Sequence, residues 1–280
     1  MHARDGDSIE AGRILVAPPD HHLLLEGGRV RVARGPKENR HRPAVDPLFR
    51  TAALAYGPQV VGVVLTGARG DGTAGLIAVK RRGGVAIVQD PDEALFPSMP
   101  EHALEYADVD HCVPLAKMAP LLDRLCREPV EPKGERGAYE GVTDDMKFES
   151  KIAGLDPEVI ESGGHPGELA GFTCPECAGP LYEINDGKLV RFRCRVGHAF
   201  TAEDALDGKL EALESALFTA LNTLEESAQM AESLAARSSE HGRRHATSRF
   251  ESRAKNARQQ AATIRAVLIN ETSDSPADAG

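Results

Sequence analysis

Leu65–Gly75 reads LTGARGDGTAG and follows the apolar run Val60, Val61, Gly62, Val63, Val64. A short, unbroken apolar run bounded by a glycine-rich turn predicts a strand over Gln59–Leu65, buried on both faces as in a parallel sheet. The turn opens a helix over Thr73–Arg82, stopped by Gly83 and Gly84. Asp71 therefore sits just past the carboxyl end of a strand, where open α/β sheets bind their ligands. An acid at that point can orient a histidine and stabilise it once protonated. It can equally cap the helix that starts at Gly72-Thr73-Ala74. The glycine spacing G-x-x-G-x-G matches neither a Walker loop nor a dinucleotide fingerprint.

Elements of the same kind lie on both sides of this stretch. Arg13–Ala17 and His22–Val32 read as short strands, the second turning at Glu26-Gly27-Gly28. Pro43 opens a helix that runs to Tyr56 and stops at Gly57. Val85–Gln89 and Val109–Val113 read as strands, and Ser98–Tyr106 and Leu115–Arg127 as helices. Strands alternating with helices of this length predict an α/β fold with a parallel sheet. Ser98 is read as the cap of its helix. Neither it nor Ser8 has a base beside it in sequence, and an unassisted serine is a weak nucleophile. His21 and His22 are expected at the surface, Arg40-His41-Arg42 as a solvated loop or a basic rim, and Cys112 and Cys126 as buried apolar filler.

From Glu128 to Ala170 proline, glycine and acids dominate, which reads as an acidic linker over 128–170 holding a short helix near Met146–Ala153. A compact module is expected over 171–200. It carries Cys174, Cys177, Cys194 and His198 in the spacing C-x2-C-x16-C-x3-H, with a hairpin turning at Asn185-Asp186-Gly187. Two chelating knuckles separated by a hairpin suit tetrahedral zinc, and a closed four-ligand shell is structural rather than catalytic. A redox dithiol and inert cysteines are the alternatives. Residues 203–270 read as an antiparallel helical hairpin: Leu206, Leu210, Leu213, Leu217, Leu221, Leu224 and Ala231 recur at three- and four-residue steps. The first helix is acidic and the second basic, so the two neutralise each other, with docking to a partner helix or homodimerisation as the functional option. Residues 272–280 are expected to be disordered.

The 280 residues, 41% hydrophobic, suffice for about two domains. No apolar run approaches the ~20 residues of a membrane span, so no membrane insertion is expected. A net charge of −10 argues against nucleic-acid binding, which needs cations to neutralise phosphates. Five cysteines outside a secreted disulfide framework point to reduced thiols and a cytoplasmic location.

Together, LTGARGDGTAG, RHRPAVDPLF (Arg40–Phe49) and FPSMPEHAL (Phe96–Leu104) resemble the catalytic domain of the bacterial chemotaxis protein-glutamate methylesterase family. The resemblance runs from about Gly6 to Leu125 and covers the later part of that domain. It implies an incomplete doubly wound parallel sheet over 1–127. It also implies hydrolysis of glutamyl methyl esters on the cytoplasmic helices of chemoreceptors, in some members with glutamine deamidation, and no cofactor for catalysis. Asp71 matches the family's triad acid, and backbone N–H groups near Ala68 would serve an oxyanion hole. The family's serine motif, like GASTGG, and its histidine motif, like QH, do not occur in this sequence. The expectation is therefore a chain lacking part of the domain and inactive as written, with a genuine pseudoenzyme or a non-catalytic scaffold as the alternative. In related chains a ribbon and a hairpin of this kind follow the esterase domain.

Overall fold

The apolar run after Gln59 forms strand β3, Val61–Val64, in a computed structural model that describes residues 1–130, 144–165 and 167–271. β3 pairs in parallel with β4 (Val85–Gln89), and β4 with β5 (His111–Val113), giving the order β3-β4-β5. Val61, Val63, Val85, Ile87 and Val113 face one layer, where Met118 and Leu121 of helix α4 (Leu115–Arg127) pack. Val64, Ala86 and Val88 face the other, under α2 (Thr73–Arg81) and α3 (Ser98–Tyr106). Helices on both faces explain why the strands are apolar throughout instead of alternating. α2 is buried at every position from Thr73 to Val79, because the sheet lies on one side and α1 (Val45–Tyr56) on the other. Gly75 allows that approach: a Cβ there would lie 2.6 Å from Cβ of Phe49.

Ahead of the sheet stands a separate antiparallel hairpin, β1 (His22–Glu26) and β2 (Arg29–Ala33). The strand expected over Arg13–Ala17 is reduced to a single bridge between Val16 and His2, since no continuous partner lies beside it. His22 is fully buried rather than at the surface. Its Nδ1 accepts the Ala44 N–H at 3.2 Å and its Nε2 donates to the Pro36 carbonyl at 2.8 Å, so it is held as the neutral Nε2–H tautomer. Burial also holds its pKa below the ordinary value. Cys112 and Cys126 are exposed, not filler, because one lies on the edge strand and the other in the last turn of α4.

The expected linker over 128–170 is largely structured where it is described. Helix α5 (Asp144–Ala153) buries Met146 against Ala53, Ala78 and Val79, and α6 (Pro157–Glu161) follows, capped by Asp156. The reason is amphipathicity: Met146, Glu149, Ile152 and Ala153 fall on one face at helical spacing. The ribbon is a four-stranded antiparallel sheet in the order β6-β7-β8-β9: Glu168–Thr173, Pro180–Asp186, Leu189–Cys194 and Ala199–Thr201. It belongs to the same compact unit as the parallel sheet, Met1–Gly208.

The second unit starts at Lys209. It holds most of α7 (Ala202–Glu240) and α8 (Arg244–Glu271), joined by a three-residue turn. The expected seam closes this hairpin only in its later part: Ala231 is buried and Leu217, Leu221 and Leu224 are half-buried. Ala228, Ala231 and Ala235 are buried with Ala254, Ala257 and Ala261, while Leu210 and Leu213 are 55% and 48% exposed. Small side chains let the helix axes approach closely, and the leucines ahead of residue 214 lie beyond the reach of α8. The acidic and basic helices do pair, Arg258 with Glu225 and Glu232, and Arg265 with Glu225. The tail over 272–280 lies outside the described residues, as does 131–143 of the linker.

Candidate functional site

The loop after β3 carries Asp71 inward, where the residue is only 6% exposed. Its carboxyl does not cap α2, whose N-cap Gly72 has no side-chain partner. It closes the start of α1 instead: Oδ2 accepts the Val45 N–H at 2.7 Å and Oδ1 the Asp46 N–H at 3.2 Å. Asp46 reciprocates, its Oδ1 accepting the Gly75 N–H in the first turn of α2 at 2.7 Å. Each helix thus has its orphan amino-terminal N–H groups satisfied by an acid from the neighbouring helix's start. Asn39, in the left-handed region at φ 50°, completes the cluster. Its Nδ2 donates to Asp46 at 2.8 Å and to Asp71 at 3.2 Å. A neutral double donor between two carboxylates is the arrangement their repulsion calls for.

Burial, and then the neighbouring Asp46 charge, push the Asp71 carboxyl up to about 7, against the three donors that favour its ionised form. Asp46 is raised as well, mainly by burial. Among the described residues no histidine nitrogen bonds the Asp71 carboxyl. His41 and Ala68 are exposed, and Arg42 is taken by Asp20 and the Gly35 carbonyl. His102 lies against the loop from behind, its Nδ1 bonded to Thr73 Oγ1 at 2.8 Å. Gly70 is required there, because a Cβ would sit 2.8 Å from both His102 Cε1 and Thr201 Cγ2. Ser98 does not cap α3. Its hydroxyl accepts the Arg69 N–H at 3.0 Å and so pins the loop. Ser8 sits apart, bridged to Arg29.

The second site is the ribbon's sulfur cluster. The Cys174–Cys177 turn is closed by Ala178 N–H to the Cys174 carbonyl, and the Cys194–His198 turn by Gly197 N–H to the Cys194 carbonyl. The four ligand atoms lie within 4.8 Å of one another. Cys177 Sγ is 3.7 Å from Cys194 Sγ, and His198 Nδ1 is 3.7 Å from Cys174 Sγ and 3.6 Å from Cys194 Sγ. Tetrahedral zinc with bonds near 2.3 Å to sulfur and 2.0 Å to nitrogen would set its ligands about 3.5–3.8 Å apart, so this donor set fits that ion. Hydrogen bonding from the Cys174 thiol, with His198 beside it, holds the Cys194 thiol well below its ordinary value, while the same interaction raises Cys174.

A third constellation had no sequence signal. Glu38, Arg50, Glu149, Arg191 and Arg193 are all buried and join β8 of the ribbon to α1 and α5. Arg50 Nη2 is 2.8 Å from Glu38, and Arg191 Nη1 is 2.9 Å from Glu149. Arg193 Nη2 reaches Glu38 at 2.9 Å and Glu149 at 2.8 Å. These residues are up to 155 positions apart in the chain, so only folding brings them together. Asn39 and Asp46 were also missed, although Asp46 lies inside the RHRPAVDPLF stretch.

Residues 1–122 match the family model described as CheB methylesterase. An Anaeromyxobacter dehalogenans protein named protein-glutamate methylesterase/protein-glutamine glutaminase 4 is 42% identical over 130 residues, 45% of this chain and 36% of that protein. A Leptospira interrogans relative is 40% identical over 132 residues, 47% of this chain and 68% of its own length. The crystal structure of the Thermotoga maritima CheB methylesterase catalytic domain aligns with a TM-score of 0.43 at 34% identity, over 44% of this chain and 68% of that one. The chain thus spans between about a third and two thirds of the length of these relatives.

Proposed function

The chain belongs to the CheB methylesterase family, and on that premise we propose that its first unit supplies the acid of a protein-glutamate methylesterase site. The observation that carries the reading is the position of Asp71: a buried carboxyl at the carboxyl end of β3, inside the family match. In the reaction a serine attacks the glutamyl methyl ester, a histidine takes its proton and returns it to methanol, and the acid orients that histidine and stabilises its cation. An imidazolium beside Asp71 would draw its carboxyl back to the ionised form. The partners are the methylated cytoplasmic helices of chemoreceptors, which places the chain in the cytoplasm. No helix among the described residues is long and apolar enough to cross a membrane.

The described residues offer no serine–histidine pair at Asp71, so the chain alone is expected to release no methanol from methylated receptor above background. Joined to the serine- and histidine-bearing segment of a family member, it should gain turnover. Asp71→Asn in that fusion should lower kcat by about 10⁴-fold, the size seen when a triad acid is neutralised. A folded fusion equally active with aspartate or asparagine at 71 would defeat the assignment.

We also infer that Cys174, Cys177, Cys194 and His198 hold one zinc as a closed structural centre. Support comes from the donor set and its spacing. Zinc would add to the folding energy that the ribbon draws from its packing on the α/β part.

A further inference from the structure

We propose that the Cys174–Cys177–Cys194–His198 centre positions the Asp71 carboxyl, acting through β9, Asn39, Asp204 and Arg69. The inference rests on the readings of Asp71 as triad acid and of the four ligands as a zinc centre, and joins two sites that the family match does not join. β9 begins at Ala199, the residue after the ligand His198, and is only three residues long. Its Ala199 carbonyl accepts the Asn39 N–H at 2.8 Å, and its N–H donates to the Lys37 carbonyl at 3.2 Å. Asn39 is the residue whose amide bridges Asp46 and Asp71. One strand residue and one side chain therefore separate a metal ligand from the acid.

A second arm reaches the loop from the other side. Thr201 caps the start of α7 through the Asp204 N–H, and Asp204, 1% exposed, lies 3.2 Å from Arg69 Nη1. Arg69 is two residues before Asp71 and stands in the left-handed region at φ 74°, a conformation that a non-glycine residue keeps only under outside restraint. Asp207 adds a second contact to Arg69 at 3.1 Å, and Thr201 packs against Gly70. The ends of both arms are fixed by the Cys194–His198 turn, because β9 and the cap of α7 follow it directly in sequence. The pairing of β9 with β8 sets its register, and a metal held by Cys194 and His198 would clamp the turn that leads into it. Without that clamp, Asn39 loses the acceptor for its N–H, and its amide is no longer held between the two carboxylates. Asn39, Arg69 and Asp204 are then positioning residues: none is expected to touch substrate.

The test uses the full chain with its zinc content measured, before and after chelation. Amide exchange at Asn39, Val45 and Asp46 should rise about tenfold or more on metal removal, while α4 stays protected. Two variants cover the case in which chelation unfolds the whole unit. Asn39→Ala should keep one zinc per chain yet raise the Asp71 carboxyl pKa, read by carbon NMR, because a donor to the carboxylate is lost. Asp204→Asn should keep zinc and the Thr201 contact, and speed exchange at the Arg69 amide. If zinc is bound at one per chain and neither its removal nor either variant moves these signals, the coupling is wrong and the zinc reading stands. A chain that purifies without metal, its ribbon and Asn39 still protected, would overturn both.

Discussion

At the scale of single residues, Asp71 and Asp46 show how a site can work against the stability of the fold around it. Two buried carboxyls share one neutral donor, and the folded chain keeps a proton that the unfolded chain gives up. The Asp71 pKa rises from the ordinary 3.8 to about 7, so its contribution to stability is greatest below pH 4 and is lost as pH rises through 7. Asp46 acts in the same direction. Glu38 and Glu149, held low by their arginines, act in the opposite one: their contribution is present above the ordinary glutamate pKa and lost on acidification. A difference between two proteins that share those glutamates removes their effect. Relative to the unaltered chain, Asp71→Asn should therefore gain about 2.5 kcal/mol between pH 5 and pH 8. Urea unfolding at the two pH values measures it, and a pH-independent difference would show that Asp71 is ionised throughout. Asp71 was legible from the sequence because the strand and the glycine turn placed it. Its partners were not, because the first N–H groups of α1 come from another stretch of chain.

At the scale of elements, periodicity located the two long helices but misjudged which of their faces meet. Leucines at three- and four-residue steps mark an apolar stripe, yet a stripe longer than its partner leaves part of itself uncovered. In the hairpin the most buried positions are alanines, whose low hydrophobicity gives a weak signal, with the later leucines half-buried beside them. The distinction is measurable. Ala257→Leu should overpack the seam and cost about 1–3 kcal/mol, lowering the hairpin's melting temperature. Leu210→Ala, at an exposed position, should change it by less than about 0.5 kcal/mol. Thermal melts of the full chain followed by circular dichroism separate the two, and the reverse order would restore the leucine seam.

At the scale of the whole first unit, five buried charges tie the ribbon to the α/β part. Desolvating them is expensive, and each carboxylate offsets that by taking bidentate or paired guanidinium contacts. Breaking the set is thus far worse than replacing it. Glu149→Ala leaves Arg191 and Arg193 short of a partner and should destabilise the unit by about 3–5 kcal/mol. Ribbon and α/β part should still unfold in one transition, seen as coincident loss of a ribbon probe and a sheet probe in urea. The exposed pair Arg258–Glu232 is the control: Arg258→Ala should cost under about 1 kcal/mol. Two separate transitions in the unaltered chain would show that the network does not unite the parts.

What the sequence by itself determined here was local. Apolar runs and 3.6-residue periods, glycine turns and the cysteine spacing are contained within ten to thirty residues, and they located β3–β5, α1–α4, the sulfur cluster and Asp71. The tertiary structure alone decided everything that depends on a distant partner. That covers the burial of His22 and Glu149, the reciprocal capping by Asp46 and Asp71, the Ser98 contact to the loop, and the docking of β9 onto Asn39. These choices are made by the desolvation of charges and the satisfaction of N–H groups across long separations in the chain. Such pairings leave no periodic trace, because each partner's position in the sequence is free as long as the fold delivers it to the same place.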